Sequence, residues 1–530
     1  MIQILVRDIT LPVSVPEGEA IALAKKKISR VLPPSGIASA SVYRKSVDAR
    51  HPEDLRFVWS VLIVTESAPD PALLAKCGAV IMEDASFEAV IGEKPMENRP
   101  VVVGFGPGGM FAALILAENG YAPVVIERGA DVEKRQAAVT GFYKTKILDP
   151  STNIQFGAGG AGTFSDGKLV TRINDPKCRY VLERFAGFGA PKEILTEAKP
   201  HVGTDRLLSV VAGIRDKIRS LGGEVLFETK MLSLKKSGGR VIGVVTDRGE
   251  IPAGAVILAL GHSARDTAAG LIAEGFSLIP KPFSVGVRIE HLQADIDRAM
   301  YGKFAGKMEK YGLKHAEYAL SRREGEDCVY TFCMCPGGEV VAAASEEGGV
   351  VTNGMSRFAR DGRNANAAVA VAVTSPEPVE FQRLLERSAF RMGGGDYRAP
   401  AQTVGDFLTG KHGTAPTRVL PTYMGGNVAL CDLHALFPPK ITAMLEKGLR
   451  DFDRRVKGFA CSDAVLTAAE TRTSSPLRMT REPVGLTAPG YDNLYPCGEG
   501  AGYAGGITSA AVDGLSCALA LMKTFAPAKK

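Results

Sequence analysis

No apolar run in the sequence approaches the ~18 residues that a helix needs to cross a bilayer. The N-terminus, Met1-Ile2-Gln3-Ile4-Leu5-Val6-Arg7-Asp8, lacks the basic n-region, apolar h-region and small-residue cleavage site of a secretory signal, and alternates apolar and polar residues as a strand does. An excess of one charge is also missing. The 64 Lys+Arg and 58 Asp+Glu leave a formal net charge of +6 over 530 residues, and no Lys/Arg block of the nucleic-acid-binding kind occurs. Cysteine is neither dense nor patterned: nine, an odd number, are scattered along the chain, which argues against a disulfide framework and for a reducing compartment. Repeats and low-complexity tracts are absent. These absences predict a soluble, cytoplasmic protein with no membrane and no nucleic-acid partner. What is present is an ordinary globular composition, 45% hydrophobic and 23% charged, with an excess of 59 glycines that prove to be clustered. The length corresponds to roughly two to four domains.

Residues 1–94 form a first unit. A strand-like start precedes Ile21, Ala24, Ile28 and Leu32 at helical spacing, and Phe57–Val64 reads as a buried strand, giving a small α+β domain. Lys25-Lys26-Lys27 is a solvated helix face, since acidic residues offset it across the segment. After a linker near residues 93–98 the pattern becomes α/β. Val101–Val103 is a continuous apolar strand of the parallel, doubly covered kind, and Val124–Ile126 is another. Thr204–Leu221 is predicted as an amphipathic helix with Thr204 as its N-cap, Val241–Thr246 as part of a β meander, and Ala255–Leu260 as a buried strand. The middle of the chain mixes strands (284–289, 340–344, 367–373) with helices (379–391, 442–455) and reads as an inserted domain. The α/β character returns at Asn493–Cys497.

The strand Val101–Val103 runs into Gly104-Phe105-Gly106-Pro107-Gly108-Gly109, a Gly-x-Gly-x-x-Gly sequence at Gly104, Gly106 and Gly109. The first glycine permits a tight turn, the second lets the backbone approach a pyrophosphate, and the third lets helix and strand pack closely. The free N–H groups of the helix start then face the phosphates. Glu127 ends the next strand at about the ~20-residue separation expected of a carboxylate that binds a ribose hydroxyl, with Arg128 beside it. Strand, loop, helix, strand and acid fall in order, so the unit is a dinucleotide site. Glu127 disfavours the ribose 2′-phosphate of NADP.

Longer strings match one family. They are Asn153–Leu169 (NIQFGAGGAGTFSDGKL), Gly261–Thr267 (GHSARDT), Phe332–Gly338 (FCMCPGG), Glu470–Pro476 (ETRTSSP) and Gly498–Gly506 (GEGAGYAGG). Together they resemble the bacterial family of FAD-dependent, or FAD-utilising, dehydrogenases of unsettled substrate, within the glutathione reductase-like flavoproteins. The resemblance covers nearly the whole chain. It implies an α/β fold: a glutathione reductase-like discontinuous FAD-binding Rossmann domain (98–280 and 471–526), an inserted α+β substrate domain (281–470) and the small N-terminal α+β domain. Ala158 departs from the family pattern, which has Glu there; a catalytic role for that Glu would be missing from this chain.

By the same resemblance, Gly498-Glu499 places Glu499 on a ribityl hydroxyl, and Gly505-Gly506-Ile507 opens the terminal helix toward the flavin's pyrimidine edge. The loop with Gly159, Gly160, Gly162 and Thr163 wraps the isoalloxazine ring, where Ser165 and Lys168 are within reach of it. Gly261 makes a turn beside the cofactor. His262 reads first as a structural loop histidine, with a general acid near the flavin as the alternative, and Ser263 is predicted to cap the helix 264–274. Cys333-x-Cys335 has no second cysteine pair at metal spacing and lacks the C-x-x-C spacing of a dithiol relay, so it reads as small residues at a strand end and no metal is expected. The predicted activity is electron transfer between FAD and a small-molecule substrate. No second Gly-x-Gly-x-x-Gly unit serves a nicotinamide, which leaves NAD(P)H at most a transient reductant. An RNA-modifying flavoprotein and a non-enzymatic flavin sensor stay open as alternatives. The sequence assigns no oligomeric state.

Overall fold

The computed structural model describes residues 1–67, 69–82 and 87–529; residue 68 and residues 83–86, which fall in the expected first unit, and residue 530 lie outside that description. The chain begins with a four-stranded antiparallel sheet in the order 37–48, 56–65, 2–12, 79–81. Strand Arg56–Thr65 alternates, burying Phe57, Trp59, Val61 and Ile63 on one face. Helix Glu17–Ile28 buries Ala20, Ala24 and Ile28. Strand Ile37–Asp48 was not expected from the sequence; it is an edge strand with no buried residue, so it carries no strong apolar pattern.

The second sheet has five parallel strands in the order 494–496, 256–258, 101–103, 124–126, 224–226. The central ones are unbroken Val/Ile/Leu runs because both faces are covered, one by helices and the other by Met231, Leu234, Val241 and Val244 of an antiparallel meander together with Leu271 of helix Arg265–Ala273. Helices Pro107–Glu118 and Ile507–Thr524 pack together at a glycine pair: a Cβ on Gly514 would stand 2.0 Å from the Gly108 carbonyl oxygen. Phe111, Leu114 and Leu515 are fully buried here, each burial contributing about 1.5–3 kcal/mol. A three-stranded antiparallel meander (231–237, 240–246, 249–252) hangs from this unit.

The third sheet has seven strands, ordered 321–324, 327–335, 364–373, 283–292, 465–470, 399–403, 428–430. Its central strand Phe283–Leu292 is buried along nearly its whole length and carries Arg288 and Glu290 inside. A hairpin, 339–342 with 352–355, lies beside it. The short pair 278–280 and 477–479 joins the segments entering and leaving this unit.

Two predicted caps are corrected. Gly203, not Thr204, stands at the N-cap of helix Thr204–Ser220; the Thr204 hydroxyl instead donates to the Ser165 carbonyl at 2.5 Å, tying this helix to the glycine loop. Ser263 does not cap the following helix, which starts at Arg265. Its hydroxyl donates to Gln155 Oε1 at 3.0 Å and accepts from Arg472 at 3.0 Å.

Candidate functional site

Two helix starts converge on one glycine loop. A Cβ on Gly162 would lie 3.0 Å from Ile507 Cγ1 and 3.8 Å from Pro107 Cγ, so Gly162 sits between the two N-termini. Gly160 is back to back with Gly106, its Cβ position only 2.9 Å from the Gly106 Cα. Gly104 has φ +104, and a Cβ there would meet the Ala259 oxygen at 2.4 Å; at Gly109 it would meet the Gly104 oxygen at 1.9 Å. No side chain fits at these turns, and both helices present their positive ends to the same loop.

Arg135, which sequence reasoning missed, holds that loop from below. It is completely buried and donates to the carbonyls of Asn153 (3.0 Å), Ile154 (2.8 Å), Gly157 (3.3 Å) and Ala158 (2.6 Å). Burial pulls its pKa down to about 9. The signal was available: Arg135 shares the buried face of helix Val132–Thr145 with Val132 and Phe142, at spacings of three and seven. An arginine on an apolar stripe needs several acceptors, and the backbone of a glycine loop supplies them.

The predicted ligands fall in distinct settings. Glu127 accepts from the N–H groups of Phe105 (2.9 Å), Gly129 (3.0 Å) and Gly157 (3.0 Å), so it welds the two glycine loops together. A ribose hydroxyl would share a carboxylate that already has three donors. Arg128 is fixed on Asp266 at 2.9 Å and Thr267 at 2.6 Å and stacks 4.3 Å from the Phe156 ring centre. Thr163 donates to the Ala158 carbonyl at 3.3 Å. Ser165 is spent within its own turn, donating to the Gly162 carbonyl at 2.7 Å and accepting from the Gly167 N–H at 3.1 Å. Gly498 has φ +78, while Gly505 and Gly506 are exposed and leave the start of the terminal helix open. Glu499 and His262 meet, Oε1 to Nδ1 at 3.2 Å, beside Gly261, and the buried Nε2 of His262 has no partner among the described residues.

Lys168 lies in a buried charge cluster. Its Nζ is 3.7 Å from Asp166 and 3.9 Å from Glu317, and Arg360 bridges the same carboxylates at 2.5 and 2.6 Å. Ser356 hydrogen-bonds Asp166, and Lys199 approaches Glu317 at 3.8 Å. Burial would raise the Asp166 carboxyl, but Lys168 and Arg360 more than offset that and hold it low. Burial likewise opposes the Lys168 charge, and Glu317 and Asp166 keep it protonated. Lys168 and Arg360 match Asp166 and Glu317 in charge, and the mostly exposed Lys199 stands at the rim of the cluster. The cluster adjoins the terminal helix, because the Thr508 hydroxyl donates to the carbonyl of Leu169 at 2.8 Å.

Next to it, in the seven-stranded sheet, are Arg288, Glu470 and the two cysteines. Arg288 is fully buried; it donates to the Cys333 carbonyl at 2.5 Å and stands 3.3 Å from Glu470 and 3.7 Å from Cys335 Sγ. Burial raises the pKa of Glu470 to about 7 despite Arg288. An arginine, Arg288, in a strand as apolar as Phe283–Leu292 was the sequence signal for a polar core here.

Among the described residues, Cys497, Asp513 and Cys517 are grouped closely enough to hold a metal ion. The positive charge there is already supplied by Arg481, whose guanidinium lies 2.7 Å from Asp513 and 3.6 Å from Cys517 Sγ.

Residues 282–473, the seven-stranded unit, match the family described as FAD-dependent protein, C-terminal domain-like. The chain is 44% identical over 521 residues to an uncharacterised protein of Clostridium beijerinckii, spanning 94% of this chain and 96% of that one, and it belongs to that protein's family. Among solved structures it has similarity to the flavin-dependent brominase Bmp2 (11% identity, TM-score 0.37, 80% of this chain and 78% of that one). It is also similar to L-proline dehydrogenase of P. horikoshii (11%, 0.31, 81% and 93%). Likenesses this distant carry neither a reaction nor a substrate to this chain. No helix among the described residues is long and apolar enough to cross a membrane.

Proposed function

We propose that the chain is an FAD-dependent oxidoreductase acting on a small molecule, built as a glutathione reductase-like discontinuous Rossmann domain (98–280 and 471–526) with 281–470 inserted over the cofactor. The carrying observation is the convergence of two helix N-termini on a loop where Gly106, Gly160 and Gly162 leave only backbone. The residues fit a dinucleotide with a second, flavin end. The start of helix Pro107–Glu118 would receive the pyrophosphate, Glu127 the adenosine ribose, and Glu499 the ribityl chain, with His262 orienting its carboxylate. The open start of helix Ile507–Thr524 and Lys168 would face the pyrimidine edge.

When bound, FAD supplies two-electron redox chemistry. The chain's own contribution is to hold the cofactor, exclude water and set the charge at its pyrimidine end. His262 Nε2, buried and unpartnered, is placed to hold or pass a proton. A nicotinamide would serve, if at all, as a transient reductant. The balanced charge and nine free cysteines agree with a cytoplasmic protein handling small molecules rather than nucleic acid.

The test is anaerobic mixing of the flavin-loaded protein with panels of amino acids, hydroxy acids, amines and NAD(P)H, followed by flavin absorbance. At least one small metabolite is expected to bleach the flavin within seconds. A flavin that dithionite reduces but no metabolite does would instead favour a sensor.

A further inference from the structure

The sequence reading of Cys333 and Cys335 as small residues at a strand end accounts for their place in the sheet but not for their geometry. In a regular strand, residues two apart are ~6.6 Å apart along the chain, each with its own place on the face. Here the pairing register slips between Phe332 and Cys335. Cys333 takes φ +44, a left-handed conformation rare for any residue but glycine. The slip brings the two sulfurs to 4.0 Å. A strained bulge of this kind is kept when it aims a side chain. The surroundings are equally specific. Arg288 grips both the Cys333 carbonyl and the Cys335 sulfur. Cys333 is half-buried and Cys335 buried. The carboxyl of Glu470 is held by Arg288 and Thr352, each at 3.3 Å.

We propose that Cys333 and Cys335 are a redox-active dithiol that exchanges with a low-molecular-weight disulfide, Cys333 attacking and Cys335 resolving. A hydrogen bond from Cys335, with Arg288 and Lys168 nearby, pulls the Cys333 thiol well below its ordinary range, whereas that same bond and burial push Cys335 up. The pair therefore divides into a standing thiolate and a protonated partner. The Cys333 thiolate attacks one sulfur of RSSR; that S–S bond breaks, RS⁻ leaves, and a Cys333–S–S–R mixed disulfide forms. Cys335 then attacks the Cys333 sulfur, its proton going to the second departing thiolate. The two cysteines are oxidised to one disulfide, and RSSR is reduced to RS⁻ and RSH. The sulfurs must close from 4.0 Å to the ~2.05 Å of a disulfide. Rotation about the Cys333 side chain, at a bulge rather than in a regular ladder, allows this. The chemistry needs no flavin, so it stands or falls apart from the cofactor assignment.

The test uses the full-length protein, reduced, freed of reductant and challenged without oxygen with oxidised glutathione. Mass spectrometry and peptide mapping follow. Loss of two thiols, a Cys333–Cys335 disulfide and release of two glutathiones are expected. Cys335→Ser should retain glutathione on Cys333, and Cys333→Ser should lose the reaction. At mildly acidic pH Cys333 should react roughly tenfold faster than Cys178, its standing thiolate outweighing its lower nucleophilicity. Circular dichroism of both variants separates a chemical effect from misfolding; should either fail to fold, the mapping and rate comparison on the wild type decide alone. Glutathione spread over Cys77 and Cys178 with none at Cys333, or equal rates for wild type and Cys333→Ser, would overturn the proposal.

Discussion

Gly106→Val should fold like the wild type and lose FAD by about a hundredfold or more, equivalent to ~2.8 kcal/mol. Gly106 has φ −82, which any residue adopts, and a Cβ there meets only the Gly160 Cα at an ordinary 3.7 Å. The backbone therefore tolerates the substitution, while the added methyls occupy space beside the helix start that a pyrophosphate needs. Gly109→Ala is the contrasting case. Its Cβ would stand 1.9 Å from the Gly104 oxygen, so the strand–loop–helix unit must open, and the protein should be lost to aggregation or melt far below the wild type. FAD titration with circular dichroism distinguishes the two. Wild-type affinity in Gly106→Val would remove the pyrophosphate from this loop.

A large stability loss is also expected at Glu386. It is almost completely buried and joins the inserted unit to the parallel-sheet unit. Its oxygens accept from Arg265 at 2.8 Å, from Arg472 at 3.0 and 3.1 Å and from the Thr471 hydroxyl at 2.7 Å. Glu386→Ala leaves two buried guanidinium groups facing each other with only the more exposed Glu346, 3.3 Å from Arg265, as counter-charge, which costs about 3–5 kcal/mol. Burial alone would raise this carboxyl's pKa, but Arg472 and Arg265 more than offset it and depress it. With a depressed folded value, the stabilisation is complete above the unfolded carboxylate range and is lost as pH falls toward the folded one. Wild type and variant should therefore differ by a constant amount above about pH 5, and the difference should shrink in stronger acid. Urea midpoints across pH check both statements. A shift under ~1 kcal/mol would mean that water reaches the arginines.

The parallel sheet was legible because strands covered on both faces are written as unbroken apolar runs, Val101–Val103 and Val256–Leu258 among them. The glycine fingerprint was legible because a Cβ at Gly104 or Gly109 would run into backbone oxygens at 2.4 and 1.9 Å. The edge strand Ile37–Asp48 was not, since it buries no residue. Thr204 and Ser263 looked like caps because a hydroxyl before a helix is one; partners across the fold, the Ser165 carbonyl and Gln155, won those hydroxyls instead. The buried charges were hardest to pair. Asp166 and Arg360 are 194 residues apart, and Arg265 is 121 residues from Glu386, distances at which a single sequence says nothing about contact. Each arginine was visible; its partner was not.

Measuring the cofactor itself tests the central claim most directly. The protein is purified, or refolded in the presence of FAD, FMN or NAD, and the nucleotide released by denaturation is identified by chromatography and mass spectrometry. Two helix starts on one glycine loop, with Glu127 on the Gly157 N–H of that loop and Glu499 paired with His262, predict one FAD per chain, with FMN and NAD absent. A protein that folds yet neither carries FAD nor takes it up would contradict the account.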